Sequence, residues 1–172
     1  VQVEDTLTAL GKLAAWWRRE QKAPVAAVVG SSGKTTTKEM AGEILSRYFE
    51  TLTTKANLNN LVGLPQTLFG MQASHEAVVL ELGMNLPDEN RQLVEIAQPN
   101  CIVLTNINHA HIGMFESPRA HYEAEAEPIR YAPADAVLFI YKDDPLSVQA
   151  VEEYAADRKI HWYSTREPAD YY

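Results

Sequence analysis

Short apolar runs alternate with longer stretches of helical periodicity along most of this chain, and that alternation restricts its fold more than any other feature. Val25–Val29, Ala77–Leu80 within 76–82, Cys101–Thr105, Ala136–Tyr141 and Ile160–Tyr163 have the length of buried strands. Helical spacing covers 6–20, 34–48, 87–97, 117–131 and 145–158. Leu7, Leu10, Leu13, Ala14 and Trp17 mark the apolar face of the first helix, and Met40, Ala41, Ile44, Leu45 and Tyr48 that of the second. Pro99 stops the third helix, Pro128 kinks or ends the fourth, and Pro145 starts the fifth. Such alternation predicts an α/β fold: a mostly parallel sheet with helices on both faces. Ligands on such sheets bind beyond the carboxyl ends of the strands.

The 172 residues, 46% of them hydrophobic, suit a single domain. A chain of this size buries about 70% of its unfolded surface without covalent staples. Residues 1–23 read as a leading helix and linker, and 24–172 as the main domain. The net charge of −8 argues against nonspecific nucleic-acid partners and against docking on anionic membranes. It leaves room for a small anion, which a few backbone amides and one lysine can hold. Cys101 is the one cysteine, so no disulfide forms within the chain and a reducing compartment is compatible. No run of 18 apolar residues occurs, and Glu4 and Asp5 break any signal-peptide pattern. The expectation is a soluble, cytoplasmic protein.

Gly30-Ser31-Ser32-Gly33-Lys34-Thr35-Thr36 lies between an expected strand and an expected helix. Glycines let the backbone turn and point N–H groups at phosphate oxygens, and the helix N-terminus adds partial positive charge. Lys34 can reach β- and γ-phosphates, and the Thr35 hydroxyl can ligate Mg²⁺. The full phosphate-loop pattern has a further Gly where this chain has Val28, so the form here is shortened to G-x-x-G-K-T. The bland alternative is a Gly/Ser turn before a helix that starts with lysine. With its flanking strand and helix, the loop makes the expected sheet a P-loop-type one that can hold phosphate.

The loop from Val29 to Glu39 is followed by Ala56-Asn57-Leu58-Asn59-Asn60 with Gly63-Leu64-Pro65. Then come Glu81-Leu82-Gly83-Met84-Asn85, Thr105-Asn106-Ile107 and Ala110-His111. In this order and spacing the chain resembles the central ATP-binding domain of the Mur ligases, from about Asp5 onward. Among them it is most similar to the member that adds D-alanyl-D-alanine to UDP-N-acetylmuramoyl-tripeptide. The resemblance implies an ATP-dependent, ADP-forming amide ligase of peptidoglycan precursor synthesis, with ATP and Mg²⁺ as cofactors. A peptide carboxylate is phosphorylated to an acyl phosphate, and an amine then attacks it. Its partners would be the UDP-linked muramoyl peptide and the dipeptide, held largely by further domains, so the isolated segment is expected not to ligate. A degenerate nucleotide-binding domain with a regulatory or scaffold role, and a similar ligase for another substrate, stay open.

Carried over residue by residue, Glu81 matches the family's Mg²⁺-binding glutamate, and His111 matches the histidine at the second metal. Lys34 and His111 are thus the implied catalytic residues. Asn57, Asn59 and Asn60 match the Asn-rich segment near substrate and γ-phosphate, although Asn clusters also simply make turns. Glu81 as a surface glutamate and His111 as a polar loop histidine are the plain alternatives. His109 is a lesser candidate, and His75, His121 and His161 match nothing.

Three positions depart from the pattern. The family has a lysine fourteen residues after His111 that carries a carbamate for the second Mg²⁺; here that place is Glu125. Glu125 either supplies a carboxylate directly on a shorter arm, or the second metal site is weakened, or Glu125 is a solvated helix residue beside Glu123 and Glu127. Tyr141 stands where the family has an Asn ahead of Asp143-Asp144, and it stacks on a base or merely packs. Asp88 stands where the family often has Gly, a change expected to alter only a turn.

Overall fold

The computed structural model describes residues 2–108 and 115–171. The described elements run α1 (Thr6–Glu20), β1 (Val25–Val29), α2 (Lys34–Leu45), β2 (Thr51–Thr53), α3 (Gly63–Phe69) and β3 (Ala77–Glu81). They continue α4 (Glu89–Ala97), β4 (Cys101–Leu104), α5 (Pro118–Arg130), β5 (Val137–Tyr141), α6 (Pro145–Tyr154) and β6 (Ile160–Tyr163). The strands form a six-stranded sheet in the order β2-β3-β1-β4-β5-β6. Every pairing is parallel.

Right-handed crossovers place the helices. The chain moves one way along the sheet from β1 to β2, and the other way at each later step. So α2 lies on one face, against β1, β2 and β3, while α3 to α6 lie on the other and α1 packs on α3 and α4. The expected two-sided cover is therefore unequal. Beneath α4–α6, Ile102, Leu104, Leu138 and Ile140 are fully buried, while on the opposite face Val103 and Phe139 are half-buried and Val137 is exposed. Those half-buried and exposed side chains make the second face at β4–β6 the more open one.

The buried lines of α1 and α2 match the expected faces only in part: Ala14 is buried, and Leu10, Trp17, Ala41 and Leu45 are half-buried. Along α1, Gly11, Ala14 and Arg18 are buried, whereas Leu7 and Leu13 are exposed. Gly11 permits the close approach, because a Cβ there would stand 2.8 Å from Ile96 Cδ1. Arg18 ends that line at the C-terminus of α4, donating to the carbonyls of Ala97 (3.1 Å) and Gln98 (3.4 Å) and to Asn100 Oδ1 (3.0 Å). A cation there also suits the helix dipole. On α2, Met40 and Ile44 are exposed, as is Tyr48 just beyond its end, and Lys38 and Gly42 face the sheet. The Lys38 stem is buried while its ammonium donates to Thr54 O (2.9 Å) and pairs with Glu39.

Two elements carried no clear sequence signal. β2 is a three-residue edge strand, Thr-Leu-Thr, without an apolar run, and α3 is a seven-residue helix with Gly63 and Pro65 in its first turn, too short for a helical apolar pattern. Helix ends shift as well: α2 stops at Leu45, α4 starts at Glu89 and α6 stops at Tyr154. Asp88 precedes α4 at φ +69°, the left-handed conformation in which Gly is at ease, and its carboxylate grips Arg91 (2.6 and 2.9 Å).

Candidate functional site

The loop after β1 departs toward one face of the sheet and the loop after β4 toward the other, which opens a crevice between their carboxyl ends. Residues 30–33 lie there. Gly30 has φ +119°, and a Cβ on it would fall 2.4 Å from Thr105 Oγ1 and 2.6 Å from Asn106 O. Gly33 has φ +82° with open space around it. It caps α2 without a side-chain acceptor, and the first turn of α2 has no acidic residue. The start of α2 is therefore an electropositive helix end, with Thr35 and Thr36 exposed on it. Lys34 Nζ folds back to donate to Gly30 O (2.6 Å) and Ser31 O (3.4 Å).

Residues from distant parts of the chain hold this loop. Ser31 N donates to Asn106 O (3.0 Å), and Ser32 N to Asn106 Oδ1 (3.1 Å). Ser31 Oγ donates to Glu125 Oε1 (2.9 Å) and accepts from Asn108 N (2.9 Å). A cavity of about 70 Å³ opens behind the loop, with Gly30, Ser31, Lys34, Asn85, His121 and Glu125 in its wall. Glu125 is 5% exposed, which excludes its reading as a solvated helix residue. His121, which the sequence left without a role, is buried with Nε2 3.8 Å from Glu125 Oε1 and its ring edge-on to Phe115. Its i, i+4 spacing from Glu125 was the available signal.

Glu81 ends β3 in register with Val28 of β1, beside the loop. It is 3% exposed, so it is no surface glutamate. Oε1 accepts from Asn59 Nδ2 (2.8 Å), whereas Oε2 is buried without a hydrogen-bond partner. Gly83 leaves room for this pairing, since a Cβ there would meet Asn59 Nδ2 at 2.8 Å, and Gly83 N donates to Asn59 O (2.9 Å). Asn60 is turned elsewhere: Oδ1 accepts from Val62 N (3.1 Å) and Gly63 N (2.9 Å), capping the start of α3. Asn57 is exposed. His109 and His111 lie outside the described residues.

Tyr141 packs against the Tyr163 ring, with 5.3 Å between centroids. Asp144 Oδ2 accepts from Ile107 N (2.8 Å) and Ser147 N (3.0 Å), tying the loop after β4 to the start of α6. The Ser164 hydroxyl, with Thr165, holds the Asp143 carboxyl down to about 2.

A glycine loop at the mouth of a helix, in the switch crevice of a parallel sheet and flanked by a buried carboxylate, defines a P-loop-type α/β domain. Residues 28–172 match the Mur ligase middle domain family, and the chain belongs to it. A UDP-N-acetylmuramoyl-tripeptide--D-alanyl-D-alanine ligase of Synechocystis is 35% identical over 158 residues, 92% of this chain and 35% of that protein. The chain thus spans about a third of that relative's length. The crystal structure of MurF from Acinetobacter baumannii superposes with TM-score 0.88 at 37% identity, covering 94% of this chain and 36% of that one. MurF ligase from Thermotoga maritima in complex with ADP gives TM-score 0.86 at 29% identity, covering 97% and 38%.

Proposed function

We propose that this chain is the ATP-binding part of a ligase that joins D-alanyl-D-alanine to UDP-N-acetylmuramoyl-tripeptide in the cytoplasm. The observation that carries the reading is Glu81 beside the phosphate loop, one carboxylate oxygen held by Asn59 and the other buried and unpartnered. An unpaired buried carboxylate oxygen is costly unless a cation completes it. Among the described residues no three His, Cys, Asp or Glu side chains converge as a metal cage. Mg²⁺ is commonly held by one or two protein oxygens together with phosphate oxygens and water. Thr35 and Glu81 would hold it, and its charge would neutralise the β- and γ-phosphates. A second cation would rest on Glu125, which lines the cavity behind the loop together with Gly30, Ser31 and Lys34, with His111.

The chain's own groups bind and align. The amides of Gly33 to Thr36 and the Lys34 ammonium hold the phosphates once Lys34 leaves Gly30 O. A tripeptide carboxylate oxygen attacks the γ-phosphorus and ADP departs. The amine of the dipeptide attacks the acyl carbon, loses a proton and expels phosphate, leaving an amide. Asn57 and Asn59 belong to the substrate side of this site. Asn60 supports it through α3.

The test is phosphate release by the full gene product. Release that requires ATP, the UDP-muramoyl tripeptide and the dipeptide together, and falls about a hundred- to a thousandfold in Lys34→Ala, is expected. Release indifferent to either substrate would end the proposal.

A further inference from the structure

We infer that Asn106 is a positioning residue for the nucleotide: its carboxamide sets the orientation of the Ser32–Gly33 peptide so that Gly33 N–H faces the anion. This rests on the reading of residues 30–36 as a nucleotide loop. Asn106 makes a two-point pairing with Ser32. Oδ1 accepts from Ser32 N (3.1 Å) and Nδ2 donates to Ser32 O (3.0 Å). Thr105 Oγ1 donates to the same carbonyl at 2.7 Å. The loop after β4 therefore draws the Ser32 carbonyl toward itself.

The Ser32–Gly33 bond is trans, like every described peptide bond. In a planar trans peptide the C=O and the following N–H point opposite ways. Fixing Ser32 O toward Thr105 and Asn106 turns Gly33 N–H away from them, to the outer side of the loop at the start of α2. The same constraint keeps a carbonyl dipole from facing phosphate. Gly33, with open space around it, has no side chain to enforce the choice, and a glycine peptide left alone flips at little cost. Ordering it in advance removes an entropic penalty from binding.

The competing view is that Asn106 Oδ1 merely occupies Ser32 N–H and must be displaced by phosphate. It predicts the opposite sign. The second bond, to a carbonyl that no phosphate seeks, favours positioning.

The experiment measures MgADP affinity by calorimetry, and unliganded melting, in the full gene product carrying Asn106→Ala or the isosteric Thr105→Val. Thr105→Val removes the other donor to Ser32 O and guards against a folding failure in the first variant. The expected result is a Kd raised about tenfold for Asn106→Ala, and several-fold for Thr105→Val, with little change in melting. Affinity that is unchanged or tighter overturns the inference, as does lowered melting with affinity intact. If the unsubstituted protein and Lys34→Ala bind MgADP equally poorly, the nucleotide reading itself falls, and this inference with it.

Discussion

Pro128 of α5 and Asn90 of α4 form a complementary pair across the helix interface. Pro128 has no N–H, so the carbonyl of Ala124 one turn earlier lacks its helical donor, and the buried Asn90 donates to that carbonyl at 3.0 Å. Glu127 ties the same helices by accepting from Asp88 N (3.0 Å) and Arg91 N (2.9 Å) at the start of α4. A proline inside a helix is thus tolerated because its neighbour was built to meet the vacancy.

Asn90→Ala should destabilise the protein by about 1–3 kcal/mol, since it strands a buried carbonyl. In a Pro128→Ala background the new N–H can serve Ala124, so the same substitution should cost about 1 kcal/mol less. Denaturant melts of the four proteins give the coupling; equal costs in both backgrounds would refute the pairing.

The loop glycines should respond unequally. Gly30→Ala must displace the backbone at Asn106, so it should lose nucleotide binding and lower the melting temperature. Gly33→Ala meets nothing within 4 Å and bears only its positive φ, worth about 1–2 kcal/mol. Calorimetric titration with MgADP and thermal melts of both variants separate the two effects.

Glu81→Gln keeps an oxygen for Asn59 and removes the charge. We expect the Mg²⁺-dependent part of ATP affinity to disappear, while stability falls by no more than about 1 kcal/mol. Titrations with and without Mg²⁺ read the first quantity, and melts the second. Full Mg²⁺ dependence in the variant would remove Glu81 from the site.

Burial pushes the Cys101 thiol up to about 11. Alkylation by iodoacetamide should be slow at neutral pH and rise about tenfold per pH unit toward that value. A plateau near pH 9 would contradict the buried setting.

The Asp143 carboxyl, held by Ser164 first and then by Thr165, should titrate at about 2 against an ordinary 3.8. A depressed carboxylate adds stability above the unfolded value and loses it as pH falls through the folded one. The carboxyl resonance should therefore shift near pH 2 and move upward in Ser164→Ala. An unchanged midpoint in that variant would exclude the hydroxyl as cause.

The strands legible in the sequence were those with apolar runs: β1, β3, β4, β5 and β6. β2 escaped because a three-residue edge strand needs no such run, and α3 because Asn60, rather than a helical pattern, starts it. The wheels of α1 and α2 misled in part, for a shared reason. Gly11 and Gly42 let each helix approach its neighbour closely, and the long stems of Arg18 and Lys38 bury beside them, so the line of contact runs through residues that hydrophobicity undervalues. Around the crevice, the sequence order was enough to bring the loop, Lys34 and Glu81 together, because each sits at the carboxyl end of a strand or on the turn after it. The roles of His121, Asn106 and Asn108 were not legible, since they depend on which distant segments the sheet brings together.

The Ser31 hydroxyl meets Glu125, 94 positions away in the chain, and the backbone of Asn108, 77 positions away. Contacts that far apart close late, after the intervening loops have given up their freedom. The cradle at the head of α2 is therefore complete only when β4 and α5 have docked. A fluorescent nucleotide added to a refolding reaction would light up behind the recovery of secondary structure, making ligand capture a clock for the final assembly of the sheet.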